Sequence, residues 1–119
     1  MYKAEIKMKL PSFNEYMNLC RENRFKAAKY KRELQAEIGL FIRKIPAIHS
    51  PVRIYFEWYE ENGRRDIDNV AFAKKFILDA LVNEGKLKDD GAKYVVGFQD
   101  SFFYGSEAKV IIYIVEVKK

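Results

Sequence analysis

The chain has 119 residues, 49% hydrophobic and 33% charged, with a net charge of +5 at neutral pH. That size and balance describe one folded domain, expected over residues 1–119, with a single core, and exclude a disordered acidic or low-complexity chain. One cysteine, Cys20, and one histidine, His49, exclude an intrachain disulfide and a Cys/His zinc site; neither residue is assigned a role.

Residues 2–10 alternate Tyr2, Ala4, Ile6, Met8 and Leu10 with Lys3, Glu5, Lys7 and Lys9, the period of a half-buried strand. The same stretch lacks the apolar core of a signal peptide, and no run is long enough to span a membrane, so the expected compartment is the cytoplasm. Pro11 stops the strand, and Ser12 with Glu15 three residues on has the form of a capping box. A long helix is predicted from 13 to 43. Its segment 21–32 holds six cations, Arg21, Arg24, Lys26, Lys29, Lys31 and Arg32. "VRIYFEWYE" (52–60) is rich in β-branched and aromatic residues and reads as a strand with Trp58 in the core. After the turn "ENGRR", residues 67–83 read as a second helix with an apolar stripe of Val70, Ala73, Ile77 and Leu81, closed by Gly85. "KLKDDG" is a loop. Two strands follow, "AKYVVGFQDSFFY" and "AKVIIYIVEVKK", joined through Gly105-Ser106 as a hairpin or close to one. Phe102, Phe103 and Tyr104 at that end read as core or a dimer seam ahead of a wedge into DNA. The order β-α-β-α-β-β predicts a two-layer α/β (α+β) domain, a small mixed sheet of about four strands with helices on one face.

Chemistry concentrates at "NGRRDIDNVAFAKKF" (62–76). Asp66 and Asp68, two apart in extended chain, point the same way. At a helix start they can serve as a cap, which local sequence favours, or as hard oxygen donors for Mg²⁺ or Mn²⁺. In a continuous helix Asp68, Lys75 and Asp79 share a face, which sets Lys75 above the acidic pair; Lys75 and Asp79 can also be a plain i,i+4 pair. The "KDD" at 88–90 offers a further carboxylate from a separate loop, or simply an exposed acidic turn. Metal-bound water beside a lysine suits phosphodiester hydrolysis. A calcium loop starting at Asp66 would need Gly at 71 and Glu at 77, where Ala71 and Ile77 stand.

The ordered set Asp66-x-Asp68-Asn69, Lys75, Asp79-Ala80-Leu81 and Asp89-Asp90, with "LPSFNEY" near the start, resembles the RusA family of Holliday-junction resolvases found in bacteria, phages and prophages. The resemblance implies a homodimeric endonuclease that cuts four-way DNA junctions with Mg²⁺ or Mn²⁺ in recombination and repair. It further implies that Asp66, Asp68 and Asp90 bind metal and that Lys75 is the catalytic lysine, with Lys74 as the alternative. The stretch from Asn69 to Asp79 is about three residues longer than the family pattern, close to one helical turn. Phosphate contacts are expected from Arg64, Arg65 and Lys74 and from Arg21, Arg24 and Lys29. Three other readings remain open: a nuclease for other branched DNA, a module that binds junctions without cutting, and a basic structural protein whose acidic pair only caps a helix.

Overall fold

A computed structural model of the chain describes residues 1–117. The elements run β1 (Tyr2–Ile6), α1 (Phe13–Glu22), α2 (Arg24–Ile42), β2 (Val52–Glu60), α3 (Ile67–Ala71), α4 (Lys74–Asn83), β3 (Val95–Tyr104) and β4 (Lys109–Glu116). This is the expected small α+β domain: a four-stranded mixed sheet with helices against one face. Along β2, Val52, Ile54, Phe56 and Trp58 point into the core, where they meet Leu34, Ile38 and Ile42 of α2 and Phe76, Ile77 and Leu81 of α4. The alternate residues of β2 face the other way. There Glu57 accepts hydrogen bonds from the Tyr59 and Tyr113 hydroxyls at 3.3 and 3.1 Å.

Ser12 and Glu15 form the capping box read from the sequence. The Glu15 amide donates to Ser12 Oγ at 3.2 Å, and the Ser12 amide donates to Glu15 Oε1 at 3.0 Å. β1, however, ends at Ile6 rather than Leu10. Its last pair is Ile6 with Val110, which leaves only Lys109 of β4, and the chain turns there, the Met8 amide donating to the Ile6 carbonyl at 2.9 Å.

The predicted helix 13–43 is two helices. Asn23 adopts an extended conformation, φ −162° and ψ 105°. Its Oδ1 accepts from the Phe25 and Lys26 amides at 3.0 and 3.1 Å, while its own amide donates to the Leu19 carbonyl. An Asn side chain that satisfies two free amides is a strong local stop and start. The apolar spacing of this segment runs straight across it, so periodicity alone concealed the break.

The predicted helix 67–83 is also broken, at Phe72–Ala73. Hydrogen bonds tighten to the i→i+3 pattern there: Ala73 to Val70, Lys75 to Phe72 and Phe76 to Ala73. Phe72 is clasped by aromatic rings, 5.1 Å from Phe13, 5.7 Å from Phe76 and 6.2 Å from Tyr16 between ring centres. Packing against α1 therefore fixes the bend. Gly85 follows α4 at φ +73°, a left-handed conformation in which glycine is unstrained, as its place after the helix predicts.

The hairpin expectation is overturned. The strand order is β1-β4-β2-β3. β3 lies parallel to β2 at the edge, and β4 inserts between β1 and β2, antiparallel to both. The short connection passes the end of β2, where Gly105, at φ +89°, donates its amide to the Glu60 carbonyl at 3.0 Å. The difference lies in burial. β4 supplies Val110, Ile112 and Ile114 to the core and buries Ile111 on the opposite face, whereas β3 leaves Val96, Phe98, Phe103 and Tyr104 exposed and takes the edge. Of the aromatic trio at its end, only Phe102 packs on the core.

Candidate nucleic-acid cleft and metal-binding residues

The acidic pair sits on the short connection between β2 and α4. Asp66 is the residue before α3, in the N-cap position with an extended backbone, yet its side chain makes no capping hydrogen bond. Asp68 lies in the first turn of α3, and its Oδ1 accepts from the Asn69 amide at 3.0 Å. Both carboxylates are exposed. Position alone suggests a cap, but the cap function is not exercised by Asp66.

Lys75 is the second residue of the separate helix α4. Its Nζ is 3.3 Å from Asp79 Oδ1 and 3.7 Å from Asp90 Oδ2. Asp79, then its hydrogen bond, then Asp90 hold the ammonium above its ordinary value of 10.5, so it stays a cation at any working pH. The structure thus brings Lys75 and Asp90 together. It does not pair Lys75 with Asp66 or Asp68: no such ion pair occurs among the described residues. The shared-face argument required one helix, and the bend at Phe72–Ala73 interrupts it.

Lys75, Asp79 and Asp90 open onto a cleft of about 540 Å³ between α2, α4 and the loop at 88–91, with Lys31 and Gln35 on its α2 wall. Lys31 Nζ lies 3.5 Å from Asp79 Oδ2, and Gln35 Nε2 donates to the same oxygen at 3.2 Å. These α2 contacts were not legible in the sequence. Lys31 read only as one cation in a basic run, and nothing local ties it to a carboxylate 48 residues away.

The remaining cations divide by environment. Lys74 donates to Asp100 Oδ2 at 2.7 Å, half-buried, between the rings of Phe56 and Phe98 at 5.2 and 4.6 Å. Asp100 Oδ1 accepts from Trp58 Nε1 at 2.9 Å. Lys74 is therefore tied into the sheet side of α4, with its charge and its rotamer committed. Lys74→Met is expected to cost about 1–3 kcal/mol, the scale for stranding a charged hydrogen-bond partner. Thermal melting checks this, and cleavage by the variant at a permissive temperature should stay within about threefold, since a lysine facing Asp100 cannot reach the cleft.

Arg65 is likewise committed. Its Nε and Nη2 donate to the two oxygens of Glu60 at 2.7 and 2.8 Å, and Nη1 donates to Glu15 Oε1 and the Leu10 carbonyl at 2.7 and 3.1 Å. Arg64 is exposed, with no ion pair among the described residues. Arg21, Arg24 and Lys29 are also exposed. Arg21 donates to Asn18 Oδ1 at 3.4 Å, and Lys29 stands 3.9 Å from Glu33.

The family model described as endodeoxyribonuclease RusA matches residues 4–115. The chain belongs to the RusA endodeoxyribonuclease family. Among curated proteins, none matches. The match spans every strand and helix of the fold, from within β1 to within β4.

The RusA-family chain can be tested for a metal by its donors. Mg²⁺ commonly takes one or two carboxylates, several waters and substrate phosphate oxygens. Asp66 and Asp68, exposed and with hard oxygens uncommitted to capping at Asp66, suit that partial donor set. A fuller cage is not assembled: among the described residues no group of three or more His, Cys, Asp or Glu side chains is arranged to hold a metal ion. Asp90 stands with Lys75 instead. No helix among the described residues is long and apolar enough to cross a membrane.

Proposed function

We propose that this RusA-family chain is a metal-dependent endodeoxyribonuclease that resolves four-way DNA junctions in recombination and repair, in a bacterial or prophage setting and in the cytoplasm. The observation that carries the reading is the family match over residues 4–115, together with a permanently charged Lys75 held at a cleft by Asp79 and Asp90. Asp66 and Asp68 are the residues that would hold Mg²⁺ or Mn²⁺, with Asp90 joining from the loop. A bound ion would supply a water of lowered pKa and polarise the phosphodiester.

The chain's own groups do the rest. Lys75 offsets negative charge that grows on the phosphate oxygens. Arg64, exposed beside the acidic pair, neutralises a neighbouring phosphate, and Arg21, Arg24 and Lys29 extend the positive surface along α1 and α2. Phosphate contacts of this kind position DNA without reading its sequence, as recognition of junction shape requires.

A four-way junction carries two symmetric scissile sites, so a twofold homodimer would present two active sites in register. Support for a second copy comes from β3. It is an edge strand with an unpaired outer side whose Val96, Phe98, Phe103 and Tyr104, on both of its faces, are between 41% and 49% exposed, the kind of bare edge that a second copy can cover.

The test compares a synthetic four-way junction with a fork and a linear duplex, each with Mg²⁺ and with Mn²⁺. Paired, symmetric nicks in the junction alone are expected. Preference for the fork would move the reading to another branched substrate. A junction bound tightly but left intact in both metals would make the chain a binding module and end the nuclease reading.

A further inference from the structure

We propose that Asp79 is the positioning residue of Lys75: a carboxylate anchored by α2 that holds the lysine's ammonium at the cleft. The proposal rests on the nuclease reading above and adds a part to it.

The two oxygens of Asp79 have separate duties. Oδ2 faces α2, where it accepts from Gln35 Nε2 at 3.2 Å and lies 3.5 Å from Lys31 Nζ. Oδ1 is turned to Lys75 at 3.3 Å. Gln35 is fixed at its other end as well, since its Oε1 accepts from Asn83 Nδ2 at 2.9 Å. The Gln35 amide is therefore oriented by two partners on α4, one turn apart, and cannot flip without losing both. Asp79 is largely enclosed, its side chain only 20% exposed, whereas the Lys75 side chain is 54% exposed. A lysine that open to water has a flexible four-carbon stem, and ordering it carries an entropy cost.

Asp90, the other partner, cannot do this job alone. It sits on the loop that follows α4, at the longer distance of 3.7 Å, and its carboxylate has no hydrogen bond or ion pair to α2 among the described residues. Asp79 belongs to the helix itself and is braced from a second helix, as a positioning group should be. The packing of α2 on α4 does not depend on it, because Leu34, Ile38, Phe76, Ile77 and Leu81 already fill that interface. A plain i,i+4 pair would explain the Lys75 contact but leaves the two α2 anchors on the opposite oxygen without a purpose.

The experiment is a double-mutant cycle on single-turnover junction cleavage, using Asp79→Asn, Lys75→Ala and the double variant. Junction affinity is measured separately by gel shift without a catalytic metal. Asp79→Asn should slow cleavage about 100-fold, the effect of displacing a catalytic group by roughly 1 Å, with affinity within about threefold. In the Lys75→Ala background the same change should cost less than about threefold, because a group acting through Lys75 has nothing left to position. Asp79→Glu, which can still reach Lys75, should recover part of the rate. If Asp79→Asn fails to fold, Gln35→Ala removes one anchor and should give a smaller loss with the same non-additivity.

An undiminished Asp79→Asn effect in the Lys75→Ala background overturns the proposal, as does a loss confined to affinity or no loss at all. In those cases a wild-type chain that cleaves junctions leaves the nuclease reading standing. A wild-type chain that cleaves none of the branched substrates removes the nuclease reading and this proposal with it.

Discussion

Asp68→Asn is expected to lower junction cleavage by about 1,000-fold, the upper scale for removing one electrostatic catalytic group, while leaving junction binding and folding intact. Asp66→Asn should do the same. The substitution is chosen because it separates the two duties a carboxylate can have at the start of a helix. Asparagine caps a helix about as well as aspartate. It also keeps the oxygen with which Asp68 accepts from the Asn69 amide. Asp66 makes no capping bond to lose, so the stability change should stay within about 0.5 kcal/mol, as for an ordinary surface substitution. What the amide cannot supply is negative charge for a hard cation. Single-turnover cleavage, gel shift and thermal melting of both variants give the answer together. A variant that melts much earlier but cleaves at the wild-type rate when folded would return the pair to an ordinary helix start.

Arg65→Ala is expected to be the most damaging single change to stability outside the apolar core, at about 3 kcal/mol, the scale for breaking a buried ion pair from one side. Glu60 is 7% exposed, and its carboxylate has Arg65 as its partner through a two-point contact. Removing the guanidinium strands that charge in the interior at the end of β2. The same side chain reaches the Leu10 carbonyl and Glu15, so it ties the start of α1 to the turn that carries the acidic pair. Equilibrium denaturation measures the loss. The double variant Arg65→Ala, Glu60→Ala should lose less than the sum of its parts, and simple additivity would mean that the pair contributes nothing as a pair.

The network also sets an acid limit. Burial alone would raise Glu15, but the Ser12 amide and hydroxyl and the Arg65 guanidinium outweigh it and hold the carboxyl below its ordinary value of 4.5. A carboxylate with a depressed folded value contributes stability that is present above 4.5 and is lost as pH falls through that lower value. Melting curves of the wild type should therefore weaken below pH 4.5, and Arg65→Ala should show a smaller acid-dependent loss.

Much of the fold could be read from short stretches. Alternation gave β1 its buried face, the β-branched and aromatic run marked β2, the Ser12–Glu15 pair began α1, and Gly85 closed α4. These signals are local: each depends on residues within one turn or a few strand positions, whose geometry the backbone itself fixes. The acidic residues and Lys75 were also visible, because the family pattern is an ordered string along the chain. Asn23 and Phe72–Ala73 show where periodicity misleads. Apolar residues at helical spacing continue across both breaks, and the deciding facts are a side-chain cap in one case and a cluster of rings from α1 in the other.

The sequence by itself therefore determined most of the elements and the buried face of β1, and it supplied the candidate residues for phosphodiester chemistry, but not the breaks at Asn23 and Phe72–Ala73. Tertiary structure alone decided that β4 enters between β1 and β2, since which strand gains two neighbours depends on the burial of the whole sheet and not on the turn beside it. It also decided which charges meet. Lys74 and Lys75 are adjacent in the chain, yet the helix turns one toward Asp100 under the sheet and the other toward Asp79 and Asp90 at the cleft. Consecutive residues on a helix point about 100° apart, and only the packing of that helix says which direction is the interior.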